Sequence, residues 1–482
     1  MNWKPFSHFY PHLPPSLQSL GISLYGLAYR HERLGGKFQR YVEEFRQRDR
    51  WQPERMREFV NARLRDVLLH AFAEVPYYRA KWAESGIGQA GLERMDAACL
   101  PRLPITPKTD LRTHSQTLIA EDVARREKLH PYYTSGSTGT PIKCYFTADG
   151  HRRFFAAREA RAFGWAGASI RQPRSMIGGR MIVPEADAAP PYYRYNWAEK
   201  QVYFSAYHIS PGRVHAYVEG FNRYRPEVLT GYAYSHYALG RMMLEQGLKL
   251  DYRPKALILS SEKLTRDMKD VIGRAFGARA FEEYGAVEQC VLLTECEHGN
   301  LHVNPDFGVV EVVDENGNPV PDGKAGRIVC TGLLNEAQPL IRYDIGDIGV
   351  LSKDACLCGR THLPVIQEIV GRLEDAVVCQ DGRELVRFHG IFIDLPHVLE
   401  AQVIQESFDL VRVRVLATEG FNEEEQALIR RRISVERLGP VHVEIERVKE
   451  IERTEKGKFR AVISRISEEQ RRAMSRTTGL GQ

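Results

Sequence analysis

Apolar residues recur at helical spacing over residues 54–85. Val60, Leu64, Val67, Leu68 and Ala71 line one face, and Pro76 stops the run. Upstream, residues 1–53 form an N-terminal extension whose first forty residues are aromatic, proline-containing and weakly amphipathic. They predict a surface helix plus loop packed on the body rather than a helix lying on a membrane. Pro101, Pro104 and Pro107 mark an irregular link that ends in Lys108–Thr113. From 130 to 350, short apolar runs alternate with helical stretches: a strand at Ala256–Leu259, a helix at Leu264–Phe276, a strand near Ala278–Glu282. Strands alternating with helices predict an α/β architecture of doubly wound sheets. Residues 307–370 change character, with strands at Val309–Val313, Arg327–Thr331 and Ile348–Leu351 joined by turns, as in a β-rich subdomain. Residues 373–482 read as a separate small α+β domain: strand Leu410–Leu416, helix Glu423–Arg432, strand Val441–Val448. The expected organisation is thus a large domain over 54–372 and a small, mobile C-terminal domain over 373–482.

Composition changes this picture little. A chain of 482 residues with net charge +5 does not demand a nucleic-acid partner, though the sign suits anionic substrates. Eight scattered cysteines do not form a disulfide framework, which points to a reducing cytoplasm. The N-terminus lacks the continuous apolar run of a secretory signal, and no stretch is apolar enough for a membrane span. Oligomerisation stays open.

The strongest local chemistry lies in Tyr133-Thr134-Ser135-Gly136-Ser137-Thr138-Gly139-Thr140-Pro141-Ile142-Lys143. Two glycines bracket two hydroxyl residues. Glycine lets backbone approach a ligand closely, consecutive N–H groups can form an anion-binding nest, hydroxyls add donors, and Lys143 adds a positive charge. The segment suits a di- or triphosphate. It is not a Walker A loop, since no Gly-Lys-Ser/Thr follows at the required spacing.

Further segments accompany it in a fixed order: Tyr284-Gly285-Ala286-Val287-Glu288, Arg342-Tyr343-Asp344-Ile345-Gly346-Asp347, Gly371-Arg372-Leu373-Glu374-Asp375 and Arg453-Thr454-Glu455-Lys456-Gly457-Lys458. Together they resemble the adenylate-forming (AMP-binding) superfamily over almost the whole chain. Within it, Leu68–Ala71, Val75–Arg79, Leu103-Pro104 and Lys108–Arg112 are similar to the N-terminal signature of the phenylacetate–CoA ligase family. Asn196, Gln201, Ser205, Tyr207-His208 and Gly231-Tyr232 look like its CapK-like capsule-biosynthesis branch.

The resemblance implies ATP and Mg²⁺. The loop Thr134, Ser135, Gly136, Ser137, Thr138, Gly139 with Lys143 would hold the β- and γ-phosphates. Glu283, Tyr284 and Gly285 would meet adenine and the α-phosphate, and Glu288 would hold Mg²⁺, a hard cation suited to a carboxylate. Asp347 would accept from both ribose hydroxyls, as one carboxylate can. Arg372 would reach the ribose, Glu374 would mark the hinge, and Lys458 would bridge the substrate carboxylate and the α-phosphate. Tyr207, His208, Gly231, Tyr232 and Ala286 would line the acyl pocket, whose flat aromatic faces suit an aryl or short hydroxylated acid. Three positions depart from the family pattern: Ile142 separates Pro141 from Lys143, Glu374 stands in place of aspartate, and Ser261-Glu262 replaces Gly-Glu. The implied reaction is activation of a carboxylic acid as an acyl-adenylate, then transfer to a thiol, coenzyme A. The alternatives are an amine, hydroxyl or carrier-protein acceptor, and an inactive ATP-binding scaffold.

Cys356-Leu357-Cys358-Gly359 forms a knuckle-like turn, and Cys296 with His298 or His302 lies upstream. Three cysteines and one histidine would fit a closed, structural Zn²⁺ site. Asp314, Asn316 and Asn318 mimic the start of a calcium loop, but Pro319 occupies the glycine position. A turn at Asn316-Gly317 is expected instead.

Overall fold

The computed structural model describes residue 10 and residues 13–133, 142–180, 182–183, 188–206, 208–209, 212–372, 377–380, 384–385, 391–392, 395–452, 460–467 and 469–470. Two compact units emerge: Met1–Ile345 with Gly349–Ile369, and Gly346–Ile348 with Val370–Gln482.

The first unit opens with helices α1 (Pro15–Leu34), α2 (Phe38–Arg48) and α3 (Pro53–Glu74). The apolar stripe of α3 is buried as its spacing predicts, at Val60, Leu64, Val67, Leu68 and Ala71. Pro76 does more than stop it. With its φ preset and no N–H to lose, it opens a second helix, Pro76–Glu84. A short hairpin follows, β1 (His130–Tyr133) with β2 (Lys143–Phe146), then helix α4 (Ala148–Arg158).

The main sheet contains β3 (Arg174–Gly178), β4 (Tyr193–Asn196), β5 (Gln201–Ser205), β6 (Val228–Tyr232), β7 (Ala256–Ser260), β8 (Ala280–Gly285), β9 (Leu292–Glu295), β10 (Leu301–Val303), β11 (Gly308–Val313), β12 (Ala325–Gly332), β13 (Tyr343–Leu351) and β14 (Val365–Arg372). Their order is β11-β12-β13-β14-β10-β9-β8-β7-β6-β3-β5-β4. Strands β5, β3, β6, β7 and β8 are parallel, whereas β4 and β9 attach antiparallel. The strands expected as a β-rich subdomain therefore continue the same sheet. Helices α5 (Val214–Tyr224), α6 (Ala233–Glu245) and α7 (Arg266–Phe276) join the parallel strands. Along β6 and β7 alternate residues serve two cores. Leu229, Leu257 and Leu259 pack with α5, α6 and α7, while Val228 and Ile258 pack with α2 and α4. Both faces are covered, as a parallel sheet requires.

The second unit carries its own sheet: β15 (Val398–Gln405), β16 (Leu410–Ala417), β17 (His442–Arg447) and β18 (Val462–Ser464) in the order β17-β16-β15-β18. Val411, Val413 and Val415 face a core shared with Ile429 and Ile433 of α8 (Glu423–Ile433). The alternate residues Arg412 and Arg414 pair with Glu444 and Glu446 on the other face. This is the alternation that made the strand legible.

The segment that mimics a calcium loop is the turn expected at Asn316-Gly317. Asp314 Oδ1 accepts from Asn316 N–H at 2.9 Å and Asn318 N–H at 2.8 Å, and Gly317 sits at φ +83°.

Candidate active site and metal centre

Parallel α/β sheets bind ligands at the carboxyl ends of their strands. Here β6 ends in Gly231-Tyr232 and β8 in Glu283-Tyr284-Gly285. Gly231 has φ +125°, and a Cβ there would lie 1.9 Å from Ile177 O, so only glycine fits. Tyr232 is buried, and His208 beyond β5 is buried with Nδ1 2.8 Å from Ser205 Oγ. The His208 ring stacks on Tyr192 with centroids 5.0 Å apart. Tyr207 lies outside the described residues.

Glu283 is buried, and Arg158 at the end of α4 grips its carboxylate with two hydrogen bonds of 2.5 and 2.7 Å. That carboxylate is committed to Arg158 and holds the end of β8 in place. The chain then turns through Ala286 to Glu288. Gln289 adopts φ +53° and donates its N–H to Ala286 O at 3.0 Å. Buried Glu288 Oε1 accepts from the Tyr343 hydroxyl at 3.0 Å. Burial and the neighbouring Glu288 push the Tyr343 phenol well above its ordinary range, so it remains a donor.

The N-terminal signature explains how Tyr343 is placed. Thr106 bridges to Tyr343 in a parallel pair, donating its N–H to Arg342 O at 2.9 Å and accepting Asp344 N–H at 3.0 Å. Tyr78 Oη accepts Ile341 N–H at 2.9 Å, and Lys108 Nζ donates to Ile345 O at 3.1 Å. Asp110 takes up Tyr77 and Lys81. Arg342 is spent on structure as well. It adopts φ +43° and donates to Leu103 O and Gly317 O, each at 2.7 Å, and to Glu311. Asp347 is buried on β13.

Strands β1 and β2 pair with Tyr133 opposite Lys143, bringing together the two ends of the phosphate-loop segment. Lys143 Nζ lies 4.9 Å from the Tyr145 ring centroid and 5.9 Å from that of Tyr133. Residues Thr134, Ser135, Gly136, Ser137, Thr138, Gly139, Glu374 and Lys458 fall outside the described residues. Arg372 closes β14.

A second constellation lies between the β9–β10 turn and the β13–β14 connection. The ligand atoms of Cys296, His302, Cys356 and Cys358 all lie within 4.8 Å of one another. Cys296 Sγ and Cys356 Sγ are 3.6 Å apart, and Cys358 Sγ lies 3.4 Å from His302 Nε2. On tetrahedral zinc, bonds of about 2.3 Å to sulfur and 2.0 Å to nitrogen place two sulfurs ~3.8 Å apart and a sulfur and nitrogen ~3.5 Å apart. These two spacings fit that polyhedron, and the sulfurs are far too distant for a disulfide. His302 Nδ1 lies 2.9 Å from Leu363 O, a partner that holds the proton there and turns Nε2 inward as a lone pair. Burial raises the Cys356 thiol, but hydrogen bonds from the Cys358 N–H and the Asn300 amide help bring it down to about 6. His298, offered by the sequence as an alternative ligand, is exposed and outside this set. His302 wins because β10 pairs with β9 and lays residue 302 against Thr294, inside the sheet. A fifth ligand is not needed, so the four donors suit a closed structural ion.

Residues 381–465 match the family model described as the CapK C-terminal domain. Protein CapK of Staphylococcus aureus is 25% identical over 467 residues, covering 95% of this chain and 99% of that protein. Over almost its whole length the chain is similar to CapK, and its C-terminal part carries the CapK C-terminal domain. A phenylacetate–coenzyme A ligase of Thermus thermophilus is 29% identical over 345 residues, 67% of this chain and 72% of the relative. The crystal structure of a 2-hydroxyisobutyryl-CoA ligase in the postadenylation state superposes with a TM-score of 0.64 at 24% identity, covering 89% of this chain and 93% of that one. It shares the fold of this CapK-like chain. The fold class expected from the sequence is the one observed. Among the described residues no helix is long and apolar enough to cross a membrane.

Sequence reasoning missed Arg158 and the role of Tyr343. No local signal marks Arg158, whose partner lies 125 positions away. Tyr343 stood inside a motif read for its aspartate.

Proposed function

We propose that this protein activates a carboxylic acid with ATP, forming an acyl-adenylate and releasing pyrophosphate, and then passes the acyl group to the thiol of coenzyme A. The observation that carries this reading is the meeting of Glu288 and Tyr343. Two segments 55 positions apart, each resembling a nucleotide motif, converge on one buried hydrogen bond at the carboxyl edge of the sheet. Further support comes from relatives whose names state acid–coenzyme A ligation.

A carboxylate is a poor electrophile. Attack of its oxygen on the α-phosphorus of ATP forms a mixed anhydride and expels pyrophosphate. Positioning and charge neutralisation dominate this chemistry. Glu288, held by Tyr343, would ligate Mg²⁺, which supplies charge neutralisation on the phosphates. Tyr284 and Gly285 would receive adenine, and Asp347 the ribose. Lys143 and the Thr134–Gly139 loop would hold the terminal phosphates. Lys458 would stand between the two anions during adenylation, and the second unit would turn near Arg372 and Glu374 to admit the thiol. The acid would lie beside His208, Gly231, Tyr232 and Ala286, with Tyr207 at its edge. Cys296, His302, Cys356 and Cys358 would hold one structural Zn²⁺ that takes no part in the reaction.

An AMP-release assay with aryl and short acids tests the acceptor. Coenzyme A should accelerate release, and acids of about twelve carbons should be poor substrates for so aromatic a pocket. Acceleration by an amine or hydroxyl acceptor but not by coenzyme A would reassign the second half-reaction.

A further inference from the structure

Helix α1 carries apolar residues on both faces. Its inner face buries Gln18, Ser23, Gly26 and Arg33 and packs Ile22 and Tyr29 on the body. Gln18 Oε1 accepts from Arg194 at 2.5 Å, Ser23 Oγ accepts Trp197 N–H at 3.1 Å, and a Cβ on Gly26 would lie 2.5 Å from the Asn196 side chain. Its outer face is leucine. Leu17, Leu20, Leu24 and Leu27 are 46, 47, 57 and 46% exposed. Trp197, which follows edge strand β4 and donates its N–H to Ser23 of this helix, is 49% exposed. An ordinary surface helix turns its apolar residues toward the body and its polar ones to water. Each of these half-exposed leucines forgoes on the order of 1 kcal/mol of burial.

We infer that this face is the contact between two copies of the chain, formed by α1 packing antiparallel on α1 of the second copy. The spacing 17-20-24-27 is the alternating three-and-four repeat of a coiled-coil seam, narrower than the stripe a helix turns toward a globular core. An antiparallel two-fold pairs Leu17 with Leu27 and Leu20 with Leu24 in four layers, and sets the two helix dipoles against each other. No charged side chain occurs from Pro14 to Tyr29, so the seam closes without desolvating an ion. That same lack of charge disfavours a lipid surface, where an interfacial helix carries Lys or Arg along its polar face. The leucines and Trp197 expose on the order of 400 Å² of apolar surface, a size that marks interaction sites on soluble proteins. Two such patches supply the dry core of an interface near the ~1,200 Å² lower bound for specific association, with Trp197 as an aromatic anchor.

Sedimentation velocity of the full chain over about 1–50 μM should show a dimer with micromolar affinity. The Leu20→Glu/Leu24→Glu double variant should be monomeric throughout, at least 100-fold weaker in association. Because these side chains already face water, its melting temperature should stay unchanged. A monomer at all concentrations in the wild type, or a dimer that survives the double substitution, overturns the inference. So does leucine-dependent flotation of monomeric protein with phosphatidylcholine/phosphatidylglycerol vesicles, which would make the face a membrane contact.

Discussion

At the scale of single residues, the proposed site rests on the hydrogen bond from Tyr343 to Glu288. Replacing the phenol by Phe leaves the ring packed and removes one hydrogen bond from a buried carboxylate. A bond to a charged group is worth about 1.5–3 kcal/mol, so Tyr343→Phe should lower acid-dependent pyrophosphate exchange roughly 10- to 100-fold and raise the Mg²⁺ concentration needed for half-maximal rate. A magnesium titration of the exchange rate reads both, and an unchanged titration would remove Tyr343 from the site. His236 on α6 makes a different, pH-dependent contribution. It is fully buried, its Nδ1 lies 2.8 Å from Tyr232 O, and its Nε2 has no hydrogen-bond partner among the described residues. Burial pushes it down to about 4. A folded pKa below the unfolded value of about 6.5 means the unfolded chain binds the proton first. The stability is fully present above about pH 6.5 and is lost as pH falls toward 4, by on the order of 3 kcal/mol. Urea midpoints at pH 7 and 4.5 should diverge in the wild type and draw closer in His236→Leu.

At the scale of elements, the sequence is legible where burial alternates. Leu410–Ala417 and the stripe of α3 were readable because one face of each is apolar. Strand β5 was not, since all five of its residues are buried, Gln201 and Ser205 included, which erases the alternation. Phosphate-loop composition and the Cys356–Cys358 knuckle were also readable, because glycine and thiol chemistry is local. The choice of His302 over His298 was not, because it depends on the pairing of β10 with β9. Nor could sequence reveal that Ser261, Gln289 and Arg342 would take left-handed backbone at φ +73°, +53° and +43° around the site. Such strain costs on the order of 1 kcal/mol each and is characteristic of functional turns. For the metal centre, protein purified without a His-tag should contain about one zinc per chain. Cys356→Ser should lower both the zinc content and the melting temperature, since metal that binds only the folded form stabilises it. Metal-free protein with unchanged melting in the variant would refute the site.

At the scale of the molecule, the residues of the proposed reaction come from both compact units. Tyr284 and Glu288, proposed for the nucleotide, belong to the first unit, whereas Lys458, proposed to join the two anions, belongs to the second. In the proposed reaction Lys458 serves adenylation and not the transfer that follows. The most direct test is ATP–pyrophosphate exchange across a panel of aryl, short acyl and amino acids, run on wild type and Lys458→Ala. The wild type should exchange label in the presence of a cognate acid. The variant should lose the activity by about a thousandfold or more while still consuming supplied acyl-adenylate in the presence of acceptor. Absence of exchange with every acid, or full exchange in Lys458→Ala, would contradict the account.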